Sequence, residues 1–462
     1  MKIIIAGAGA VGTHLAKLLS GEKQDIILMD DDEERLGRLG SNFDLLAVNI
    51  SPTSISGLKE AGVAGADLFI AVTPDESRNM TACMLATSLG AKKTVARINN
   101  YEYLLPKHKE FFAKLGVDSL IYPEMLAAKE IVDAVKKNSH DGIVISKGSD
   151  IKYLTGFTGE YGVAVLLLTE KKNYFVTDGR FEFQAAQETE GFEVVVYGEG
   201  LNYFSQTGKL AAEAGVKQCA ICGADLTFDD YQDLVSQAPD TKFVSEGSYV
   251  EPLRAIKTPE EIETIEQACR ISERSFYALL DVIKPGVTEI DIANELEYQF
   301  RSRGGSGFCF ETIVASGPDN GANCHATASD RKIQLGDFVT IDFGTYYHGY
   351  CSDITRTVAV GKAKNPELYK MFDVVRKAKD AGQNSLKPGM VMGELRDIIV
   401  KVVEDAGYHI PHGPGHNFGL DIHEQPYICT GSKVTLQPGM FIRSNLEFTF
   451  RESAASVRKM IS

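Results

Sequence analysis

Gly7, Gly9 and Gly12 lie at G-x-G-x-x-G spacing in "KIIIAGAGAVGTHLAKLLS", between an apolar run and a helical pattern. The three glycines have separate duties. The first allows a tight turn, the second lets a phosphate approach the backbone, and the third lets helix and strand pack closely. The helix start that follows offers free N–H groups and the positive end of a dipole. A second apolar run, "DIILMD", ends in Asp30 at the spacing expected of an acid that binds ribose hydroxyls. A carboxylate there favours NAD(H) over NADP(H), whose extra phosphate it repels. The pattern continues as strand "FDLLAV", helix "SISGLKEAG", strand "ADLFIAVT", helix "ESRNMTACMLATSLG" and strand "KTVARI". Such alternation predicts a Rossmann-like, doubly wound parallel sheet.

The chain has 462 residues, enough for about three domains. A formal charge of -15 argues against nucleic acid as a partner, because phosphate binding needs a basic face. No apolar run is long enough to span a membrane, and the glycine-punctuated start lacks a signal-peptide cleavage pattern, so a cytoplasmic location is expected. The eight cysteines are mostly isolated and read as reduced thiols. Cys219 and Cys222 form one C-x-x-C, half of a zinc site at most, and are expected to be strand cysteines.

The stretch "ADLFIAVTPDESRNMTACMLATSLGAKKTVARINN" resembles the regulatory (RCK) domains of Trk-type potassium uptake systems. The resemblance covers about residues 1–130. It implies a cytosolic module that binds NAD(H) or adenine nucleotides, dimerises and has a membrane potassium transporter subunit as partner. In such a fold Thr73 and Arg97 sit at strand ends facing the cleft, as weaker ligand candidates beside Gly7, Gly9, Gly12 and Asp30. For Arg97 a strand-end surface cation is an equal alternative.

After the helical stretch 124–137 the chain changes character. Residues 138–250 alternate short apolar strands, turns and helices, a second α/β domain without a catalytic cluster. Arg180 in "TDGRFEFQA" reads either as a contact to a substrate in a neighbouring subunit or as a surface ion pair. From "TPEE", where Thr258 is a cap and Pro259 a first helical residue, the chain is helical. Asp342 then ends the apolar run "DFVTIDFG" and Asp353 opens "SDITRTVAV". A hairpin between them places both carboxylates at one end of paired strands. Two carboxylates in apolar surroundings call for a cation between them. Downstream, "HGPGHNFGLDIHE" offers His416 and His423 as ligand and proton donor. Oxygen ligands with one imidazole suit manganese, cobalt, iron or zinc.

The motifs "IKYLTGFTG", "FETIVASG", His325 with Ala326, "IDFG…GY-SD-TRT" and "GPGH-x-x-GLDIHE" together resemble the pita-bread metallopeptidases, specifically Xaa-Pro aminopeptidases and dipeptidases. The resemblance covers about residues 138–440. It implies a creatinase-type N-terminal domain and a pita-bread catalytic domain. It also implies two divalent ions (manganese, cobalt or zinc) bound at Asp342, Asp353 and His416, with His325 and His423 steadying substrate and intermediate. A proline-containing peptide is the implied substrate and a homodimer the implied assembly. Cys324 stands where a proline is usual before His325.

The tail departs from that family. Two glutamates expected after "PGM", in Ile-Glu-Pro-Gly and Arg-x-Glu-Asp stretches, are missing, and Asn445 stands where the first belongs. Asn cannot bridge two cations as a carboxylate does, and Glu447, two positions on, is a weak substitute. The genetic code offers a reason. When the third base of each codon is joined to the first two of the next, Arg443 to Glu447 can read Ile-Glu-Pro-Gly, and Ala454 to Ile461 can read Gly-Val-Arg-x-Glu-Asp-Asp. One base lost near Met440 to Arg443, by mutation or sequencing error, produces this tail, which in the family forms outer strands of the catalytic sheet.

The expected organisation is therefore residues 1–130, an NAD(H)-binding domain; 138–250, a peptidase N-terminal domain; and 256–462, a pita-bread domain with an aberrant 441–462 tail. The expected function is removal of residues ahead of proline, impaired by loss of the two glutamates. The alternatives are a regulatory subunit of potassium uptake and a non-native chimera of two genes.

Overall fold

The computed structural model describes residues 1–20, 24–37, 45–98, 103, 106–121, 123–189, 191–321, 323, 325–363, 365–410, 413–444, 446–448 and 457–459. These fall into two compact units, 1–249 and 250–462.

The first unit begins with β1 (Lys2–Ala6), α1 (Ala10–Ser20), β2 (Asp25–Asp30), α2 (Glu33–Gly37), β3 (Leu46–Asn49), α3 (Ile55–Glu60), β4 (Leu68–Ala71), α4 (Glu76–Ser88), β5 (Thr94–Arg97), α5 (Pro106–Lys114) and β6 (Ser119–Ile121). The strands form one sheet in the order β3-β2-β1-β4-β5-β6, and every pairing is parallel. Ile4, Met29, Phe69 and Ala71 pack into one core with Met80 and Cys83 of α4. Ile3, Ile5, Leu28 and Ile70 pack into another with Ala16 of α1. Helices thus cover both faces, which is why these strands are apolar throughout rather than alternating.

Next come α6 (Pro123–Lys137), β7 (Gly142–Ile145), α7 (Gly148–Thr155), β8 (Ala164–Thr169), β9 (Asn173–Thr177), α8 (Glu182–Glu188), β10 (Glu193–Val196), α9 (Tyr203–Glu213), β11 (Gln218–Cys222), α10 (Phe228–Gln237) and β12 (Lys242–Glu246). Their sheet runs β10-β9-β8-β7-β11-β12. It is antiparallel at β7–β8 and β8–β9 and parallel elsewhere. Helix α6 buries Ala128, Ile131 and Val135 and packs on β7, β8 and α7. The helix that in sequence could end one module or begin the next therefore packs with the second sheet. Cys219 is buried and Cys222 half-buried in β11, both free, as strand cysteines.

The second unit contains α11 (Glu251–Arg254), α12 (Pro259–Leu279), α13 (Glu289–Ser302), β13 (Ile313–Ser316), α14 (Gly317–Asn320), β14 (Phe338–Phe343), β15 (Tyr346–Tyr347), β16 (Tyr350–Cys351), β17 (Ile354–Ala359), α15 (Glu367–Ser385), α16 (Met392–Asp405), β18 (Gly415–Asn417), β19 (Glu424–Ile428), β20 (Ile442–Ser444), β21 (Leu446–Phe448) and β22 (Val457–Lys459). Thr258 caps α12 through a reciprocal pair with Glu261, and Pro259 opens the helix. Strand β14 lies between β13 and β17, antiparallel to both. Strand β18 lies between β19 and β20, again antiparallel. Among the described residues the tail joins this sheet through β20, while β21 and β22 pair with each other. The expectation that the tail forms outer strands of the catalytic sheet thus holds for its first strand. Asn445 and Cys324 lie outside the described residues, as does the side chain of Glu447.

Candidate active site

Two places collect the residues singled out by sequence. At the C-terminal end of β1, Gly7 adopts φ +112° and its N–H donates to Met29 O at 2.8 Å. A Cβ on Gly12 would stand 1.8 Å from Gly7 O, so only glycine lets helix and turn meet there. Around Gly9 no atom beyond its chain neighbours lies within 4 Å of a Cβ position, leaving the turn open. Asp30, buried at the end of β2, accepts from Ala8 N at 2.6 Å and from Asp32 N at 2.9 Å. Its carboxylate is thereby locked beside the glycine turn. Thr73 is buried, and its N–H and hydroxyl both donate to Asn79 Oδ1, at 2.8 and 2.7 Å. Asn79 in turn donates to the carbonyls of Thr73 and Arg97. Thr73 and Arg97 are thus stitched together by one α4 side chain, and Thr73 has its polar atoms committed inside the protein. Arg180 forms the surface ion pair, reaching Asp178 at 2.8 Å with its own side chain largely exposed.

The second place lies in the unit 250–462. Asp342 sits in β14 opposite Thr355 of β17. Asp353 directly precedes β17, after the β15–β16 ribbon. Both carboxylates are buried. His416 lies in β18, with Nε2 3.6 Å from Asp353 Oδ2 and Nδ1 3.0 Å from Asn417 O. His423 stacks edge-on against it, ring centroids 4.4 Å apart. His325, His416, His423, Asp342 and Tyr427 line one cavity of about 570 Å³. Burial pushes the His416 imidazole down to about 4. Burial, and then the neighbouring His325, lowers His423 as well. Both rings are therefore neutral near pH 7.

One residue in this cluster was not anticipated. Arg443 of β20 is buried and lies between the two aspartates. Its Nη2 donates to Asp342 Oδ1 at 2.8 Å and to Thr355 Oγ1 at 3.0 Å, and its Nη1 pairs with Asp353 Oδ2. The only sequence signal is a lone basic residue inside the otherwise apolar and neutral "GMFIRSNL". Behind the histidine loop lies a second set that motif reading passed over. Glu424, next to His423, is paired with Arg254 and, at 2.7 Å, with Lys257. Lys257 also donates to Asn417, next to His416, at 3.2 Å. All three charges are almost fully buried. They fix the backbone on both sides of the loop that carries the two histidines.

Residues 263–459 match metallopeptidase family M24, residues 128–256 the creatinase/prolidase N-terminal domain, and residues 3–123 the TrkA-N domain. A peptidase of Bacillus subtilis, YqhT, is 38% identical over 304 residues, covering 65% of this chain and 84% of that protein. An Xaa-Pro dipeptidase of Pyrococcus horikoshii is 30% identical over 324 residues, covering 68% and 89%. Among solved structures, an Xaa-Pro dipeptidase from Bacillus anthracis superposes with a TM-score of 0.69 at 33% identity, covering 73% of this chain and 93% of that one. The prolidase from Pyrococcus horikoshii gives 0.67 at 29% identity, covering 72% and 94%. The chain belongs to metallopeptidase family M24. Its catalytic half has the pita-bread fold, preceded by a creatinase-type α/β domain and a Rossmann-like TrkA-N domain.

An M24 metallopeptidase uses divalent metal, so the donor set can be tested for fit. Among the described residues Asp353 Oδ1 has no hydrogen-bond partner although it is buried, as an oxygen awaiting a cation would be. The rest of the set argues the other way. Two aspartates and one imidazole are few ligands for two ions, and a guanidinium already bridges both aspartates. Among the described residues no group of three or more His, Cys, Asp or Glu is arranged to hold a metal ion. The residues present do not fit a two-ion centre.

Proposed function

We propose that residues 256–462 are an Xaa-Pro exopeptidase domain whose centre is impaired in this chain. The carrying observation is that Asp342, His325, His416 and His423, drawn from three separate segments, line one cavity, with Asp353 of a fourth segment 3.6 Å from His416. The neutral His416 and His423 are placed to orient a peptide and donate hydrogen bonds to its carbonyl oxygen. The cavity can take a short peptide, which supports a dipeptide or an N-terminal residue ahead of proline as substrate. Loss of the two tail glutamates accounts for the misfit to two ions.

The test is hydrolysis of an Xaa-Pro dipeptide with added manganese. It compares this chain with one whose reading frame is restored by a single base near codon 441 and by the downstream gene. The restored chain should cleave the peptide and this chain should be at background. An inactive restored chain overturns the reading.

A second activity is favoured by the open turn at Gly9 beside the locked Asp30. Residues 1–130 are an NAD(H)-binding module, with Gly7, Gly9, Gly12 and Asp30 as its contacts and Arg97 as a further candidate. The three modules 1–130, 138–250 and 256–462 assemble as a homodimer in the cytoplasm. Among the described residues no helix is long and apolar enough to cross a membrane.

A further inference from the structure

We propose that Arg443 is an internal counter-cation: its guanidinium neutralises Asp342 and Asp353 in place of divalent metal, so that the catalytic half folds without metal and excludes a two-ion centre. The inference rests on reading this cluster as an M24 centre and adds what that reading lacks, the occupant.

Three observations converge. The first is register. In the antiparallel pair β18–β20, His416 stands directly opposite Arg443, and directly opposed residues share one face of a sheet. The side chain at 443 is therefore delivered to the same side as His416. Gly415 permits the approach, because a Cβ there would lie 2.0 Å from Arg443 O. The second is bonding. Two guanidinium nitrogens reach two different carboxylates, and one of them also reaches Thr355. That forked geometry is what arginine offers and lysine does not. The third is burial. Arg443 is 4% exposed, Asp342 7% and Asp353 4%. Buried charge at this depth persists only when paired. Arginine also cannot shed its proton to make way for a metal ion. Any divalent ion between the aspartates must therefore displace the side chain or share the space with a like charge.

The experiment uses the full chain. Bound metal is measured by mass spectrometry after dialysis against manganese, and melting is followed with and without a chelator. This chain should retain fewer than one ion, and the melting of its catalytic half should not move on chelation. Arg443→Met, similar in length but uncharged, leaves the aspartates without a cation. Its metal-free melting should fall by several degrees, and manganese should raise it, with one ion bound. Arg443→Lys keeps a positive charge and should stay indifferent to the chelator. Retention of two ions by the unmodified chain overturns the proposal, as does a fall in its melting on chelation. So does an Arg443→Met variant that melts like the parent and ignores manganese. If that variant does not fold, the unmodified chain's two readouts still decide. The frame-restored chain, run alongside, separates the readings. If it binds no metal, the M24 assignment of the cluster fails. If it and the unmodified chain both bind two ions, only the counter-cation fails.

Discussion

Position 9 has room for a side chain that position 12 lacks, and the contrast makes a clean pair of variants. The Cβ of Gly9→Val meets no atom within 4 Å beyond its chain neighbours, so the variant should melt close to the parent. It fills the place a pyrophosphate needs and should weaken NADH by about tenfold or more in calorimetric titration, about 1.4 kcal/mol or beyond. Equal affinity in the variant would remove the cradle. Gly12→Ala drives a Cβ into Gly7 O and should cost about 1–3 kcal/mol of stability, as overpacking does. In the catalytic half, Glu424→Gln takes the carboxylate from the buried Lys257 and leaves Arg254 with Asp421 alone. Removing one partner of a buried pair costs about 3–5 kcal/mol, read as a lowered denaturant midpoint. A midpoint that does not move would show the cluster to be unimportant for holding the histidine loop. Asp342, Asp353, His416 and His423 were legible because acids and histidines among apolar and glycine residues need a reason to be there. Arg443 was not, because its role exists only once β20 pairs with β18 and brings 443 opposite 416. Thr73 meets the same limit: sequence shows a strand-end hydroxyl but not that its proton goes to Asn79.

Elements were easier to read than contacts. The alternation over residues 1–98 predicted β1 to β5 with α1, α3 and α4, though not the short α2, because a doubly covered sheet writes itself as uniformly apolar runs. The "TPEE" signal predicted the start of α12 because a capping box is local chemistry. What local pattern cannot carry is strand order. Nothing near β8 says that it runs antiparallel to β7 and β9 while the outer strands are parallel. The turn after β9 also carries a pH dependence. Hydrogen bonds from Arg180, and then from Tyr203, hold the Asp178 carboxyl well below its ordinary value of 3.8. A depressed carboxylate stabilises the fold fully above the unfolded value, and that stability drains away as pH falls below it. The 138–250 sheet should therefore lose stability below about pH 4, and Asp178→Asn should flatten that acid limb. Acid melting curves of parent and variant that stay parallel would reject the assignment.

At the scale of the whole molecule, a TrkA-N domain precedes two peptidase domains in one polypeptide. Sedimentation of the full chain at micromolar concentration should give a homodimer or larger, and a clean monomer would count against dimerisation through either part. Composition and length pointed to about three domains, and motifs identified them, but no sequence pattern states whether they act on one another. The placement of Arg443 has a consequence for how such a chain fares in a cell. A frame slip that merely deleted ligands would leave two naked carboxylates in a dry interior. Such a species opens often and is cleared by proteases in proportion to its open fraction. A slipped frame that wrote this tail would carry its own antidote, since β20 pairs in register with β18 and Arg443 brings a permanent positive charge to the aspartates. Such a lesion would be silent to quality control and visible only to the substrate.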